Sequence, residues 1–287
     1  MPAAPPAPEG RLIVQIRVEA VDPEHVEDGR YELRGAYYRQ PPEGGPLVRL
    51  GALPPSEPIP RSELTGTGSA RLAAWADLAR AVRGASGGVR VEFLLPTALL
   101  GHRAEVWSAG ASRTPLGLHH PVVVRSLERY SDPWINPEPW RRRWDRLRWD
   151  PPRAEPLARI AWPPLTDLTA WLLREPESAA VGLATSYDDL SATARDAVRD
   201  ALFLEGVPVM VWRRGPGDPR EIVSALRPFA PARLRDLPDA VHRCRKHGRT
   251  AGETDVRNNI TLLWDDPDCV DADQDLPFAG MAGQGWV

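Results

Sequence analysis

The feature that most restricts the fold of this chain is the stretch Val89–Leu95, which is followed at once by Pro96. Apolar side chains occupy positions 89, 91, 93 and 95, and Leu94 between them is apolar as well. The alternation predicts a β-strand, and the extra apolar residue predicts that both faces of its sheet are covered. Because proline cannot donate to a sheet hydrogen bond, Pro96 should end the strand. The chain must therefore pack other elements on both sides of it.

The segments before this strand predict an antiparallel meander followed by a helix. Apolar alternation marks strands at 12–18, 31–38 and 47–50, with proline- and glycine-rich turns between them. A helix is predicted from Ser69 as N-cap to Arg83, because apolar residues recur there at helical spacing.

The second half alternates between strands and helices. Strands are predicted at 121–126, 206–212 and 260–264, and helices at 138–147, 190–205 and 234–246. Such alternation is typical of layered α/β proteins. The predicted fold class is α/β, a mixed sheet with an N-terminal antiparallel meander, then alternating strands and helices packed on the sheet. We expect one domain over 11–268, a disordered Pro/Ala-rich leader over 1–10, and a flexible acidic, Gly-rich tail over 269–287.

Charge and cysteine content limit the partners and the compartment. The formal net charge of -3 indicates neither a general nucleic-acid partner nor a membrane surface. Two cysteines do not make a disulfide framework, so we expect a reducing, cytoplasmic setting. The N-terminus lacks the apolar segment of a signal peptide, and no apolar run approaches the roughly 20 residues of a membrane span.

One short segment has spacing that could bind a metal. His242, Cys244 and His247 lie close together near a predicted helix end, and zinc sites use such ligands at short spacing. The alternative is a solvated basic helix end, where such side chains are favourable. We favour the alternative because no second ligand pair is visible, and we expect no cofactor.

A cysteine hydrolase would need a thiol beside a histidine base. Cys244 or Cys269 could be combined with His102, His119 or His120. Neither cysteine has the expected context, since a nucleophile of this kind usually sits at a strand end beside an oriented base. For His119 and His120 we favour a loop pair with one ring packed.

The order of three strands, a helix and a fourth strand resembles the opening of a ribonuclease-H-like fold. A nuclease of that kind needs several carboxylates around metal ions. The candidates are Glu19, Glu92, Asp265 and Asp266, which are few and far apart in the chain. We therefore do not favour a nuclease.

Arginines alternate with tryptophans in one predicted helix. Trp140, Trp144 and Trp149 flank arginines at 141, 142, 143, 146 and 148. Such surfaces can bind single-stranded nucleic acid. Helical periodicity favours the other interpretation, in which the tryptophans form a core stripe and the arginines the outer face. A nucleic-acid partner is therefore not expected.

Polar residues at the ends of apolar strands are the remaining candidates for a site. They are Glu92, Arg125, Glu128, Arg129, Arg213, Asp265 and Asp266. One interpretation is the active site of a hydrolase, a peptidase or a nuclease. The other, which we favour, is a set of ion pairs that brace the sheet, since charges near a core must be paired.

Several segments, taken in order, are similar to one known family. They are the strand at 12–18, YEL at 31–33, VEFLLP at 91–96 with LL at 99–100 and VW at 106–107, PVVVRSLER at 121–129, WRRRW at 140–144, GVPV at 206–209 with WRR at 212–214, and LLWDDP at 262–267. Together they resemble the C-terminal domain of the vWA-MoxR-associated proteins (VMAP-C) of bacterial conflict systems.

The resemblance implies a function in protein–protein interaction. Such proteins are thought to act with a vWA-domain protein and a MoxR-type AAA+ ATPase in antiphage defence, and to connect that pair to an effector. No catalytic residue is carried over from the family. Members often have an effector domain in front of this one, so a chain with ten residues before its first strand is expected to be a free-standing copy or a separated domain.

Overall fold

The computed structural model describes residues 10–22, 29–41, 47–109, 114–149, 151–152, 155–215, 217–218, 220–252 and 254–269. The strands are β1 (Arg11–Ala20), β2 (Arg30–Gln40), β3 (Val48–Leu53), β4 (Ile59–Pro60), β5 (Val89–Leu95), β6 (Val122–Ser126), β7 (Ala180–Leu183), β8 (Val209–Arg213) and β9 (Ile260–Trp264). The helices are α1 (Leu64–Ala74), α2 (Ala76–Arg83), α3 (Leu116–His119), α4 (Glu128–Ser131), α5 (Glu138–Arg148), α6 (Leu168–Arg174), α7 (Ala192–Phe203), α8 (Arg220–Leu226) and α9 (Leu237–His247).

All the described strands belong to one mixed sheet in the order β3-β2-β1-β5-β6-β9-β8-β7, with β4 paired to β2. The first three strands form the predicted antiparallel meander. From β1 through β5 and β6 to β9 the neighbours are parallel, and β8 is antiparallel to β9. The predicted α/β class with a mixed sheet is confirmed.

β5 lies in the middle of this sheet and is buried at every position. On one face Phe93 packs edge-on against Trp107, with ring centroids 5.0 Å apart. On the other face Leu94 packs with Tyr130 and Trp140. Both faces are therefore covered, as the apolar residue at position 94 predicted.

The predicted single helix over 69–83 is two helices, α1 and α2, separated at Trp75. Trp75 has non-helical dihedral angles (φ -80°, ψ 83°), and its buried ring packs edge-on against Tyr37 at 5.5 Å. Ser69 is not an N-cap, because it lies inside α1, where its hydroxyl accepts a hydrogen bond from the Ser108 N–H. Tertiary packing of one tryptophan thus interrupts a continuous helical pattern.

α5 begins as predicted and places most of its side chains as expected. Trp140, Trp144 and Leu147 are buried, and Trp144 packs edge-on against Trp264 at 5.2 Å. Arg143, expected on the outer face, is instead buried. Its guanidinium donates to several main-chain carbonyls, including Ser178 O at 2.6 Å and Glu205 O at 2.7 Å.

The predicted boundary between domain and tail falls inside the packed structure. Cys269 is 1% exposed and packs with Ile13 and Tyr38. The predicted leader, apart from Gly10, and the tail after Cys269 lie outside the described residues. No helix among the described residues is long and apolar enough to cross a membrane.

Candidate functional site

The charged residues at the centre of the sheet lie on the face that Leu94 shares. Side chains alternate between faces along a strand. Arg90 and Glu92 of β5 therefore point to the same side as Gln15 of β1 and Arg125 of β6, with Gln15 directly beside Glu92 in the register. Neighbouring strands thus bring opposite charges together inside the protein.

Glu92 is 0% exposed and is surrounded by donors. Arg125 Nη1 donates to Glu92 Oε2 at 2.6 Å, Arg90 Nη2 lies 2.7 Å from Oε1, and Gln15 Nε2 donates at 3.0 Å. Burial by itself would raise the pKa of Glu92, but Arg125 and Arg90 outweigh it, so the pKa is lowered. Glu92 is therefore an ionised group whose oxygens are already engaged.

Asp265, the first residue after β9, forms a second centre beside the first. Arg129 Nη1 donates to its Oδ2 at 2.9 Å, the Tyr130 hydroxyl donates to Oδ1 at 3.2 Å, and Arg125 Nε lies 3.5 Å from Oδ1. The indole N–H of Trp140 donates to its main-chain oxygen at 2.7 Å. Burial raises the pKa of Asp265 in spite of these arginines, and burial lowers the pKa of Arg129 to about 10.

The segment after β9 covers the charged groups around Glu92 and Asp265. Cys269 O accepts from Arg125 Nη1 at 2.8 Å and from Gln15 Nε2 at 3.0 Å, and Asp266 O accepts from Arg125 Nη2 at 2.5 Å. Arg90 Nη2 donates to Cys269 Sγ at 3.3 Å. We call this set the buried charged cluster; its members are Gln15, Arg90, Glu92, Arg125, Arg129, Tyr130, Asp265, Asp266 and Cys269.

Of the seven strand-end candidates, Glu92, Arg125, Arg129, Asp265 and Asp266 come together in the buried charged cluster. Glu128 lies at the carboxyl end of β6, where it accepts hydrogen bonds from Thr97 and from the Ser126 hydroxyl. Arg213 is remote from the cluster, because it pairs with Ile260 at the opposite end of β9 and bonds to Glu221 and to Thr254 O.

The candidates predicted at the strand ends did not include four members of the cluster, namely Gln15, Arg90, Tyr130 and Cys269. Gln15 and Arg90 occupy the polar positions of strands and would ordinarily face solvent. Their burial depends on the segment after β9, which arrives from more than 170 residues away in the chain, as the Arg90–Cys269 separation of 179 shows.

The metal and thiol candidates have separate environments. His242 Nδ1 lies 3.1 Å from Gly117 O, Cys244 Sγ donates to Ala225 O, and His247 packs beside the Phe229 ring. No group of three or more metal-binding side chains occurs among the described residues. Burial raises the pKa of the Cys244 thiol to about 11. For Cys269 burial raises the pKa as well. Both thiols are therefore protonated at neutral pH.

Two tryptophans near α5 are exposed, in contrast to Trp140 and Trp144. Trp134, in the loop before the helix, is 92% exposed, and Trp149 at its C-cap is 73% exposed. Arg141 and Arg142 are exposed on the helix itself, and no carboxylate among the described residues pairs with either. We call these four residues the α5 surface. Tryptophan is enriched at protein interfaces, where its ring supplies apolar area and its N–H finds a hydrogen-bond partner.

The comparisons with known proteins give one match. A family model described as vWA-MoxR associated protein C-terminal domain (VMAP-C) matches residues 29–267. The matched range contains β2 through β9, the α5 surface and most of the buried charged cluster. No curated protein and no solved structure matches the chain. The resemblance stated from the ordered sequence segments is confirmed.

Proposed function

This chain belongs to the family of vWA-MoxR associated protein C-terminal domains, and we propose that it is a non-enzymatic coupling module of a bacterial conflict system. In this proposal it binds a vWA-domain protein and a MoxR-type AAA+ ATPase inside the cell, and links them to an effector that acts in antiphage defence. The family description supports the association with vWA and MoxR proteins. The exposed tryptophans and arginines of the α5 surface support the interaction role.

The buried charged cluster supports a structural role for its residues. Glu92, Arg125 and Asp265 are each 0% exposed, and their charged atoms contact one another or main-chain oxygens. A catalytic carboxylate or guanidinium must reach a substrate. Residues with these contacts instead fix the positions of β5, β6 and the segment after β9.

The observation that carries the proposal is the α5 surface. Tryptophan and arginine are the residues most enriched among those that dominate binding energy at protein interfaces. Here one exposed tryptophan precedes α5 and another is its C-cap, and two exposed arginines of the helix lack carboxylate partners among the described residues. The unpaired positive charges favour an acidic surface. We therefore propose that the α5 surface binds an acidic segment of the vWA protein or of the ATPase.

Co-purification of the chain with the vWA protein and the ATPase encoded beside it tests this proposal. We expect the complex to form with the unaltered chain and to be weakened about 30-fold or more by Trp134→Ala with Trp149→Ala, since truncation of one such residue costs about 2 kcal/mol or more. Arg141→Glu with Arg142→Glu should also weaken the complex, and by a larger factor at low salt than at high salt, because salt screens exposed charges.

Matched controls are available on the other half of the sheet. Val48, which is 55% exposed, and Arg83 of α2 lie away from α5, so Val48→Ala with Arg83→Glu should leave binding unchanged. Failure of both neighbouring proteins to bind the unaltered chain would contradict the coupling role. Binding that survives the tryptophan and arginine exchanges would contradict the α5 surface, and capture of nucleic acid by that surface would do the same.

The hydrolase alternative makes a different prediction. A peptidase or nuclease that used the buried charged cluster would have to open it, since Glu92 and Asp265 now contact arginines. Hydrolysis of a peptide or a nucleic acid by the purified chain, abolished by Glu92→Gln in a protein that stays folded, would support the enzyme and contradict the coupling role.

A further inference from the structure

A second buried ion pair lies at the opposite end of the sheet. Glu105 follows β5 in a short helical turn, and Arg214 directly follows β8. Arg214 Nη1 donates to Glu105 Oε1, and its Nη2 donates to His102 O at 3.1 Å. Both side chains are 6% exposed. Burial would raise the pKa of Glu105, but Arg214 outweighs it and the pKa is lowered, so the carboxylate is ionised.

Arg245 of α9 adds a second buried guanidinium to this pair. It is 3% exposed, and it donates to Val122 O at 3.1 Å and Ile260 O at 2.8 Å. The carboxylate that raises its pKa is Glu105, which Arg214 already engages. Burial lowers the pKa of Arg245 to about 10, so it remains charged at neutral pH. Two buried positive charges therefore share one carboxylate, although buried charges are ordinarily paired.

An open cleft of about 430 Å³ lies over these groups. Glu105 and Arg245 line it, Arg103 and Arg249 stand exposed beside it, and Val106 and Leu118 contribute apolar wall. Neither exposed arginine pairs with a carboxylate among the described residues. The cleft lining and Arg214, which binds Glu105, together carry four guanidinium groups and one carboxylate, an excess of three positive charges by side-chain count.

We propose that this cleft binds a small phosphorylated ligand, with Arg103 and Arg249 as its direct contacts and Arg245 as a fixed positive charge beneath it. Arginine presents planar paired donors that match phosphate oxygens. The volume is in the range of sites for small molecules rather than for a folded partner. α9 ends at the cleft with the negative end of its dipole, so the guanidinium groups alone would attract the anion.

The proposal does not depend on the coupling function and is tested on the purified full chain. Isothermal titration with inorganic pyrophosphate and with AMP, at constant ionic strength set by sodium chloride, should show saturable binding of both. Citrate, a tricarboxylate, is the comparison anion, because guanidinium groups bind carboxylates as well as phosphates. A site shaped for phosphate should bind citrate more weakly than pyrophosphate.

The variant Arg103→Gln with Arg249→Gln should weaken pyrophosphate and AMP binding about tenfold or more, because each exchange removes charge-assisted hydrogen bonds. Its thermal unfolding without ligand should match the unaltered chain, since both side chains are exposed. Arg83→Gln with Arg235→Gln, two exposed arginines elsewhere, controls for the loss of two charges.

Three results would overturn the assignment. One is that titration with pyrophosphate and with AMP gives no binding heat above that of sodium chloride at the same ionic strength. Another is binding that the Arg103/Arg249 variant retains or that the control variant loses equally. The third is citrate affinity equal to that of pyrophosphate, which would indicate a general electrostatic attraction instead of a phosphate site.

Discussion

The exchange Glu92→Gln removes one negative charge from the interior while it keeps the shape of the side chain. Glu92 is 0% exposed and accepts from Arg125, Arg90 and Gln15. A glutamine has one acceptor oxygen in place of two, and its NH₂ group would face a guanidinium donor. Two buried arginines would then lose the carboxylate that both contact.

Breaking a buried ion pair by removal of one partner costs about 3–5 kcal/mol, because the other charge stays buried without compensation. A domain has about 5–15 kcal/mol of unfolding free energy in total. We therefore expect Glu92→Gln to lower the midpoint of guanidinium chloride unfolding strongly, measured by tryptophan fluorescence. Glu32→Gln is the matched control, since its partner Arg34 is 52% exposed and such a pair contributes about 0–1 kcal/mol.

A double exchange separates charge imbalance from loss of packing. Arg125→Met removes the guanidinium that Glu92 binds at 2.6 Å. If charge imbalance is the cause, the double exchange Glu92→Gln with Arg125→Met should lower the unfolding free energy by less than the sum of the two single exchanges. The difference should be about 1 kcal/mol or more. A loss below about 1 kcal/mol for Glu92→Gln alone, or strict additivity in the cycle, would refute the electrostatic explanation.

Three further exchanges examine other parts of the structure. Phe93→Asp should prevent folding, because it buries an unpaired charge at the centre of β5; a normal melting transition by circular dichroism would contradict the placement of that strand. Arg143→Lys should lower the unfolding free energy by about 3 kcal/mol in urea, since an ammonium cannot reproduce the planar donors that bind carbonyls from several loops; an unchanged midpoint would contradict it. Burial and Arg214 lower the pKa of His102 to about 4, and neutral His102 accepts from the Trp107 indole N–H, so unfolding adds a proton between pH 4 and 6.5. His102 should therefore contribute a loss of about 3 kcal/mol of stability as pH decreases from 6.5 to 4. His102→Gln should remove that contribution and leave those of His120 and His242, whose pKa values are lowered as well; equal pH profiles for both proteins would contradict the role of His102.

Local patterns in the sequence determined the elements and their faces. The runs that became β5, β6, β8 and β9 are apolar beyond what one buried face requires, and all are buried in the sheet. The helix predicted over 190–205 is α7, and Ser191 is its N-cap, with a side chain that accepts from the Ala194 N–H. The ordered segments also determined the family, because each contributes residues from a different element of the same fold.

Patterns of one helix could not determine how it packs. Trp75 continues a helical periodicity, yet its ring packs beside Tyr37 of β2 and the helix breaks there. Helical periodicity predicts that Arg143, between two buried tryptophans, faces outward. It is buried because carbonyl oxygens from residues 172, 175, 176, 178 and 205 converge on its guanidinium.

The partner of each charged group was decided by tertiary structure alone. The strand-end charges were expected to form ion pairs, and alternation along β5 indicated that Arg90 and Glu92 share a face. Which residues would meet them depended on the parallel register of β5 with β1 and β6, and on a chain segment 144 residues from Arg125 that returns through Cys269. Periodicity predicts which face of its own helix or strand a residue occupies. The pairing of buried charges arises instead from contacts between elements that are distant in sequence.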